Sequence, residues 1–414
     1  MSARIGAVGA ALLLGCAART APVPPPATAA PAGPGDLVEE IAGIVQRDFY
    51  SAARLEEVGW SASVERAKEA VRRAPDRAAR HDALRALMAS LRTSHTAFYP
   101  REDPSYWALA SIFEPYLEKS CPRERVPGFP ITVDDIGVFW MQIDGEWFAG
   151  GVYPGGPADQ GGLKLGDRVI SAGGQPFSPV EAFRGRAGRP VALEVQRARG
   201  GPPLQLQVTP RPVRPQEELR RATRDGFQVL ERRGRRIAYL HVWSWAGPEA
   251  QQVVVELVGK ANDAGVDGFV LDLRDGWGGA DPSYLAMFFR EVPVRESVAR
   301  DGKTQRFDFQ IRKPAVLLIN GGTRSGKEGF AYGARKHRLA RLVGERTAGA
   351  VLYGRPYCLG DGSLLWLAVM DARMDGERLE GRGVEPDVAV PFDVRYAAGE
   401  DVQLERALEL LSAG

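Results

Sequence analysis

Ala315-Val316-Leu317-Leu318-Ile319-Asn320-Gly321-Gly322-Thr323-Arg324-Ser325-Gly326-Lys327-Glu328-Gly329-Phe330-Ala331 joins an aliphatic run to a glycine turn and the start of a helix. An unbroken apolar run bounded by turn residues reads as a strand buried on both faces, as in parallel sheets. The same order occurs upstream. Ile237-Ala238-Tyr239-Leu240-His241-Val242 is a strand, Pro248 to Ala264 an amphipathic helix, and Gly268-Phe269-Val270-Leu271-Asp272-Leu273 a second buried strand. Glycine-rich Asp275-Gly276-Trp277-Gly278-Gly279 follows it. Strands alternating with helices imply a mostly parallel sheet, so the chain from Arg236 onward is expected to be α/β. The turn presents Ser325 at the sheet edge, where the amides and dipole of a helix start favour negative charge and suit an anionic tetrahedral intermediate. Ser325-x-x-Glu328 is also the spacing of a capping box, in which the serine merely caps the helix. Both readings stand on these residues.

Outward from this core, residues 131 to 212 are dense in glycine and carry short β-type runs. These are Gly137-Val138-Phe139-Trp140, Trp147-Phe148-Ala149, Arg168-Val169-Ile170, Val191 to Val195 and Leu204 to Val208. Between them, Gly155-Gly156-Pro157-Ala158-Asp159-Gln160-Gly161-Gly162-Leu163-Lys164-Leu165-Gly166-Asp167-Arg168-Val169-Ile170 resembles the PDZ signature. By that resemblance an extended peptide adds a strand to a sheet edge, and loop amides take its terminal carboxylate. Ile136, Gly137, Val138 and Phe139 are the candidate loop, with reading peptide tails and gating the core as alternative roles.

Asp36 to Tyr99 reads as helical. Leu37, Ile41, Ile44 and Val45 recur at helical spacing, and Ser63 to Arg73 and Ala78 to Leu91 show the same period. Ala17 to Gly35 is rich in Ala and Pro and reads as an extended tether. Ahead of it, Ile5 to Gly15 has the size of a signal-peptide apolar region. Leu13-Leu14-Gly15-Cys16 resembles the bacterial lipobox, which makes Cys16 the expected site of lipidation. No later segment reads as a membrane span.

Bulk composition is that of a soluble globular chain: 414 residues, 44% hydrophobic and 26% charged, a length that suggests two to three domains. A net charge of +2 gives no global field for nucleic acid. Cys16, Cys121 and Cys358 make no disulfide framework and no zinc motif. Only Cys121 and Cys358 could pair, and both are expected to be reduced.

Residues 236–390 resemble the C-terminal processing (tail-specific) and tricorn-like serine peptidases, which have a ClpP/crotonase-like core. Gly268 to Arg274 with Gly278-Gly279, Ser325-x-x-Glu328, Leu342-Val343-Gly344-Glu345-Arg346-Thr347-Ala348-Gly349 and Gly383-Val384-Glu385-Pro386-Asp387 carry the likeness in order. The fold expected is therefore multidomain α/β: a helical N-terminal region, a PDZ-like β-rich domain and a ClpP/crotonase-like α/β catalytic core. The divisions expected are a signal peptide (1–16), a linker (17–35), helices (36–101), the PDZ-like domain (102–212) and the core (213–414). The resemblance makes Ser325 the nucleophile, and a serine needs a partner to take its proton. In the processing branch that partner is a lysine, at a place held here by Ala350. Lys327, inside the nucleophile helix, is no obvious substitute.

The tricorn-like branch uses Ser-His-Glu. Its pattern assigns His95, within Ser94-His95-Thr96, as the base, and Glu380 as the orienting acid acting through Ser94. His241 is the rival base; His81 on a helix face and His337 near a helix end have no role. Backbone N–H groups of Gly326 and of Gly278 or Gly279 would hold the oxyanion. Arg274 and Arg324 could bind a substrate carboxylate, but are read first as solvated surface. The resemblance implies polypeptide substrates, with their C-termini as one means of capture, and no metal, cofactor or nucleic acid, on an exported chain anchored by lipid to the bacterial envelope. The competing readings are an inactive peptide-binding lipoprotein of the same fold and a crotonase-type acyl-CoA enzyme.

Overall fold

The computed structural model describes residues 34–289 and 292–413. Cys16 and its neighbours lie outside them. The α/β core is a sheet of six strands in the order Gln228–Arg232, Arg235–His241, Gly268–Asp272, Ala315–Ile319, Arg341–Gly344 and Val388–Ala389. The first pair is antiparallel and the later ones parallel. Both faces are buried, which is why these strands read as continuous apolar runs. Ala238, Leu240, Phe269, Leu271, Leu317 and Ile319 pack with residues of helices Pro248–Asp263 and Gly326–Lys336. Ile237, Val270, Val316, Leu318 and Val343 pack with Ala407 and Leu408 of the last helix, Val402–Ser412.

Helices Pro34–Asp48, Trp60–Arg73 and Arg77–Ala89 open the described chain. Asp76 caps the third, its carboxylate accepting the Ala79 N–H at 2.9 Å. Their apolar faces do not close on one another alone. Ile41, Val45, Trp60, Val64, Leu84 and Leu91 share one cluster with Leu352, Leu359, Leu365 and Leu367. The strand Ala97–Tyr99 then pairs antiparallel with Leu364–Met370, whose other neighbour is Tyr353–Cys358. The leader is thus built into a hairpin near the end of the chain.

The PDZ-type sheet runs in the order Val138–Ile143, Glu146–Val152, Arg168–Ala172, Val191–Gln196 and Leu204–Val208, leaving Val138–Ile143 at one edge. Helices Pro104–Ile112 and Glu114–Ser120, within the span read with this module, pack elsewhere: Tyr106, Ala110 and Leu117 cluster with Ile131 and Leu364. Trp243, just past the strand Arg235–His241, ties the module to the core. Its indole sits where any side chain at Gly151 would come within 2.3 Å, flanked by Phe139 and Tyr153 at centroid distances of 6.3 and 4.8 Å.

The expectation of two reduced thiols is overturned. Cys121 and Cys358 form a disulfide, with Cα atoms 5.9 Å apart across 237 residues of sequence. The pairing was hidden because it depends on the helix ending at Ser120 docking beside the strand Tyr353–Cys358, a contact between distant parts of the chain. Closing so long a loop contributes about 2–4 kcal/mol by restricting the unfolded chain. Cys121→Ser with Cys358→Ser is expected to lower the guanidinium midpoint by the equivalent of that energy, and a thiol reductant should reproduce the shift. An unchanged midpoint would deny the bridge its structural role.

Candidate active site

The turn after Ala315–Ile319 is held by its own polar side chains. Asn320 Oδ1 accepts the N–H of Gly322 at 2.9 Å and of Asp275 at 3.2 Å. Thr323 Oγ1 accepts from Asn320 N–H at 3.0 Å and donates to Leu273 C=O at 3.1 Å. The turn ends on Ser325 with φ 58° and ψ −132°, a conformation that costs a non-glycine residue on the order of 1–3 kcal/mol. Its N–H donates to Ala350 C=O at 2.7 Å, while its hydroxyl does not cap the helix. Glu328 reaches beyond the Ser325 backbone to a neighbouring loop. This buried carboxylate accepts from Thr347 Oγ1, from Gly349 N–H at 2.7 Å and from Ala350 N–H at 2.6 Å. Because the Ser325 hydroxyl makes no cap bond, the reciprocal capping box is not the arrangement found. Glu328 also fixes the loop whose next carbonyl holds Ser325.

The backbone around Ser325 is crowded. A Cβ at Gly278 would lie 2.5 Å from Ser325 Cβ and 3.2 Å from its Oγ, so only glycine allows this approach. Gly326 abuts Ala280, and Gly279 has φ 100° against Ala246. Among the described residues, no backbone carbonyl outside the regular elements accepts from Gly278, Gly279 or Gly326.

The second part of the constellation comes from the leader. His95 sits with φ 52° in the loop before Ala97–Tyr99. Ser94 Oγ lies 2.9 Å from His95 Nδ1 and 2.8 Å from Glu380 Oε2, and Ser94 N–H donates to Glu380 Oε1 at 2.9 Å. A carboxylate only accepts, so the Ser94 hydroxyl proton points at Glu380 and its oxygen accepts from His95 Nδ1–H. That tautomer leaves Nε2 with its lone pair. Burial, followed by the Arg324 charge, lowers His95 to about 4, so the ring is neutral at neutral pH.

Residues 349–351 join the two parts. Ala350 C=O holds Ser325, the Gly349 and Ala350 amides hold Glu328, and Val351 N–H donates to Glu380 Oε2 at 3.0 Å. Among the described residues no hydrogen bond links Ser325 Oγ directly to His95.

The other candidates are engaged elsewhere. Lys327 is buried, its Nζ donating to Asp275 C=O at 2.9 Å, and burial pulls it down to about 7. His241 stacks on Trp243 at 3.6 Å with Nε2 2.9 Å from Arg274 C=O, and burial lowers it to about 4. Arg274 is not solvated surface. It is buried, pairs with Asp272 and Asp401, and donates to Gln403 at 3.0 Å. Arg324 is partly buried, its Nε donating to Gly322 C=O at 3.4 Å. In the candidate peptide loop, Gly137 N–H already donates to Asp135 Oδ1 at 2.6 Å. A cavity of about 1320 Å³ lies between the two modules, bordered by Val138–Ile143, Tyr153, Trp243, Trp277 and Arg324.

A serine on a strained strand-to-helix turn and a neutral imidazole tied to a carboxylate thus occur in one chain with a PDZ-type sheet and a parallel core. Residues 236–390 match the model of Peptidase family S41 and residues 148–197 that of a PDZ domain, and the proteins the chain is similar to include C-terminal processing and tricorn proteases. It is 27% identical over 400 residues to tricorn protease homolog 1 of Streptomyces coelicolor, covering 90% of this chain and 34% of the relative. It is also 27% identical over 281 residues to the carboxyl-terminal-processing protease of Synechocystis sp., covering 63% and 64%. Among solved structures, the tricorn protease shares the fold with a TM-score of 0.54 at 17% identity, over 92% of this chain and 36% of that one. The chain thus spans between a third and two thirds of these relatives' lengths.

Proposed function

We propose that the chain is an exported serine endopeptidase that cleaves polypeptides through an acyl-enzyme. Ser325 is the nucleophile, His95 the general base and acid, Glu380 the orienting carboxylate and Ser94 the bridge between them. The observation that carries the reading is the run Glu380–Ser94–His95, fastened through residues 349–351 to the N–H of Ser325. Ala350 stands where the processing branch has lysine, so the base must come from elsewhere, and a neutral His95 with a bare Nε2 meets the need. In the first step Ser325 Oγ attacks the scissile carbonyl as its proton passes to His95 Nε2. The imidazolium formed is stabilised by Glu380 through Ser94. The oxyanion meets N–H groups of Gly326 and of Gly278 or Gly279, each donor contributing about 2.7–4 kcal/mol. His95 then protonates the departing amine, and water repeats the sequence to release the acyl group. Lipidation at Cys16 and a place at the bacterial envelope rest on the Leu13–Cys16 pattern, and the disulfide is in keeping with an oxidising compartment outside the cytoplasm.

The test is the pH dependence of Ser325 labelling by a fluorophosphonate, with the modified residue mapped by mass spectrometry. The base must be neutral to act. With His95 lowered to about 4, labelling should persist through mildly acidic pH and fade as pH falls through that value. Arg324→Ala removes the lesser cause, so the acid limb should move to higher pH yet stop short of the ordinary imidazole value of about 6.5. A label on another serine, or none, would defeat the proposal.

A further inference from the structure

The groove beside the edge strand Val138–Ile143 has an acidic head. In a PDZ module the loop entering that strand offers its amides to a peptide's terminal carboxylate. Here the Gly137 amide is already held by Asp135 Oδ1 at 2.6 Å, so the chain's own carboxylate occupies that place. A second carboxylate faces the same spot: a Cβ at Gly137 would lie 3.5 Å from Glu218 Oε1. Asp135 and Glu218 both border the cavity. The cations beside them are directed at Glu218: Arg211 Nη2 meets both its oxygens at 3.0 Å, and Arg221 binds it at 2.7 and 3.0 Å. Burial raises the Asp135 carboxyl only to about 6, so it stays ionised at neutral pH. An arriving peptide carboxylate would find its donor taken and like charge in its path.

The cavity does not stop at this loop. Tyr153, Trp243, Trp277 and Arg324, the residue before Ser325, line it as well. We propose that the groove receives an internal, extended stretch of an unfolded polypeptide, laid along Val138–Ile143 and running on toward Ser325, and turns away chains that end there in a free carboxylate. The occupant bonds through its backbone to the strand edge and meets Asp135 with an amide or a cationic side chain. This deepens the proposed peptidase function by naming its substrate class.

The test uses the Ser325→Ala chain, which binds without cleaving, immobilised and exposed at neutral pH to two pools of randomised decapeptides. The pools differ only in ending as free acids or as carboxamides, and retained peptides are counted by mass spectrometry. Carboxamides should be enriched about tenfold over acids, the size of one unfavourable charge contact. Asp135→Ala, checked for folding by circular dichroism, should bring the ratio close to unity by freeing the Gly137 amide, an effect no loss of packing would mimic. Enrichment of the acids, of neither pool, or a ratio unmoved in Asp135→Ala overturns the proposal. The outcome does not depend on whether Ser325 is a nucleophile, so failure here and failure of the labelling test are separable.

Discussion

Ser325→Ala is expected to abolish fluorophosphonate labelling and to lower kcat on an unfolded protein substrate by roughly 10⁴- to 10⁶-fold, about 5–8 kcal/mol of barrier. The melting temperature should hardly move. The Ser325 hydroxyl makes no capping bond, and its backbone N–H, which alanine keeps, is what anchors the turn to Ala350. The strained φ of 58° is equally costly for both residues. Loss of activity with retained stability marks a group that touches the substrate and not one that holds the fold. Turnover at a tenth of the original rate or more would remove Ser325 from the chemistry.

Glu380→Gln should cost about 10²- to 10⁴-fold in kcat with little change in KM, although one atom has been exchanged for its near isostere. Glu380 accepts three hydrogen bonds, from Ser94 N–H, Ser94 Oγ–H and Val351 N–H. A carboxamide has only one accepting oxygen, so one buried N–H must face an NH₂ group. If that NH₂ takes the Oε2 position it donates to Ser94 Oγ, reverses the Ser94 bond and puts the His95 proton on Nε2, where the base should be bare. His95→Ala should lose at least as much. Ser94→Ala should lose less, since the ring remains but its tautomer is no longer set. Steady-state kinetics on the three variants, each checked for a native melting profile, gives the ranking. Equal activity in Glu380→Gln and the parent would dissolve the relay.

The core was legible because burial on both faces writes parallel strands as unbroken apolar runs. Gly268–Leu273 and Ala315–Ile319 needed no long-range information. The turn at Ser325 was legible for a similar reason, its glycines and hydroxyls acting within a few residues of themselves. What escaped were partners set by docking. Glu328 allowed a capping reading because the cap is three residues away, whereas its carboxylate also accepts from Thr347 and Gly349. Arg274 read as solvent-facing because nothing local announces Asp401. Asp135 is adjacent to the loop it fills, and its aspartate-to-amide spacing was the one such signal open to a closer reading.

The Ser94–Glu380 contact spans 286 residues of sequence, and Ala97–Tyr99 takes its place only beside Leu364–Met370. In an unfolded chain the residues proposed as base and acid are therefore far apart along the thread, with the proposed nucleophile between them and no geometry for any of the three. The proposed constellation can form only after both segments have been made and have met.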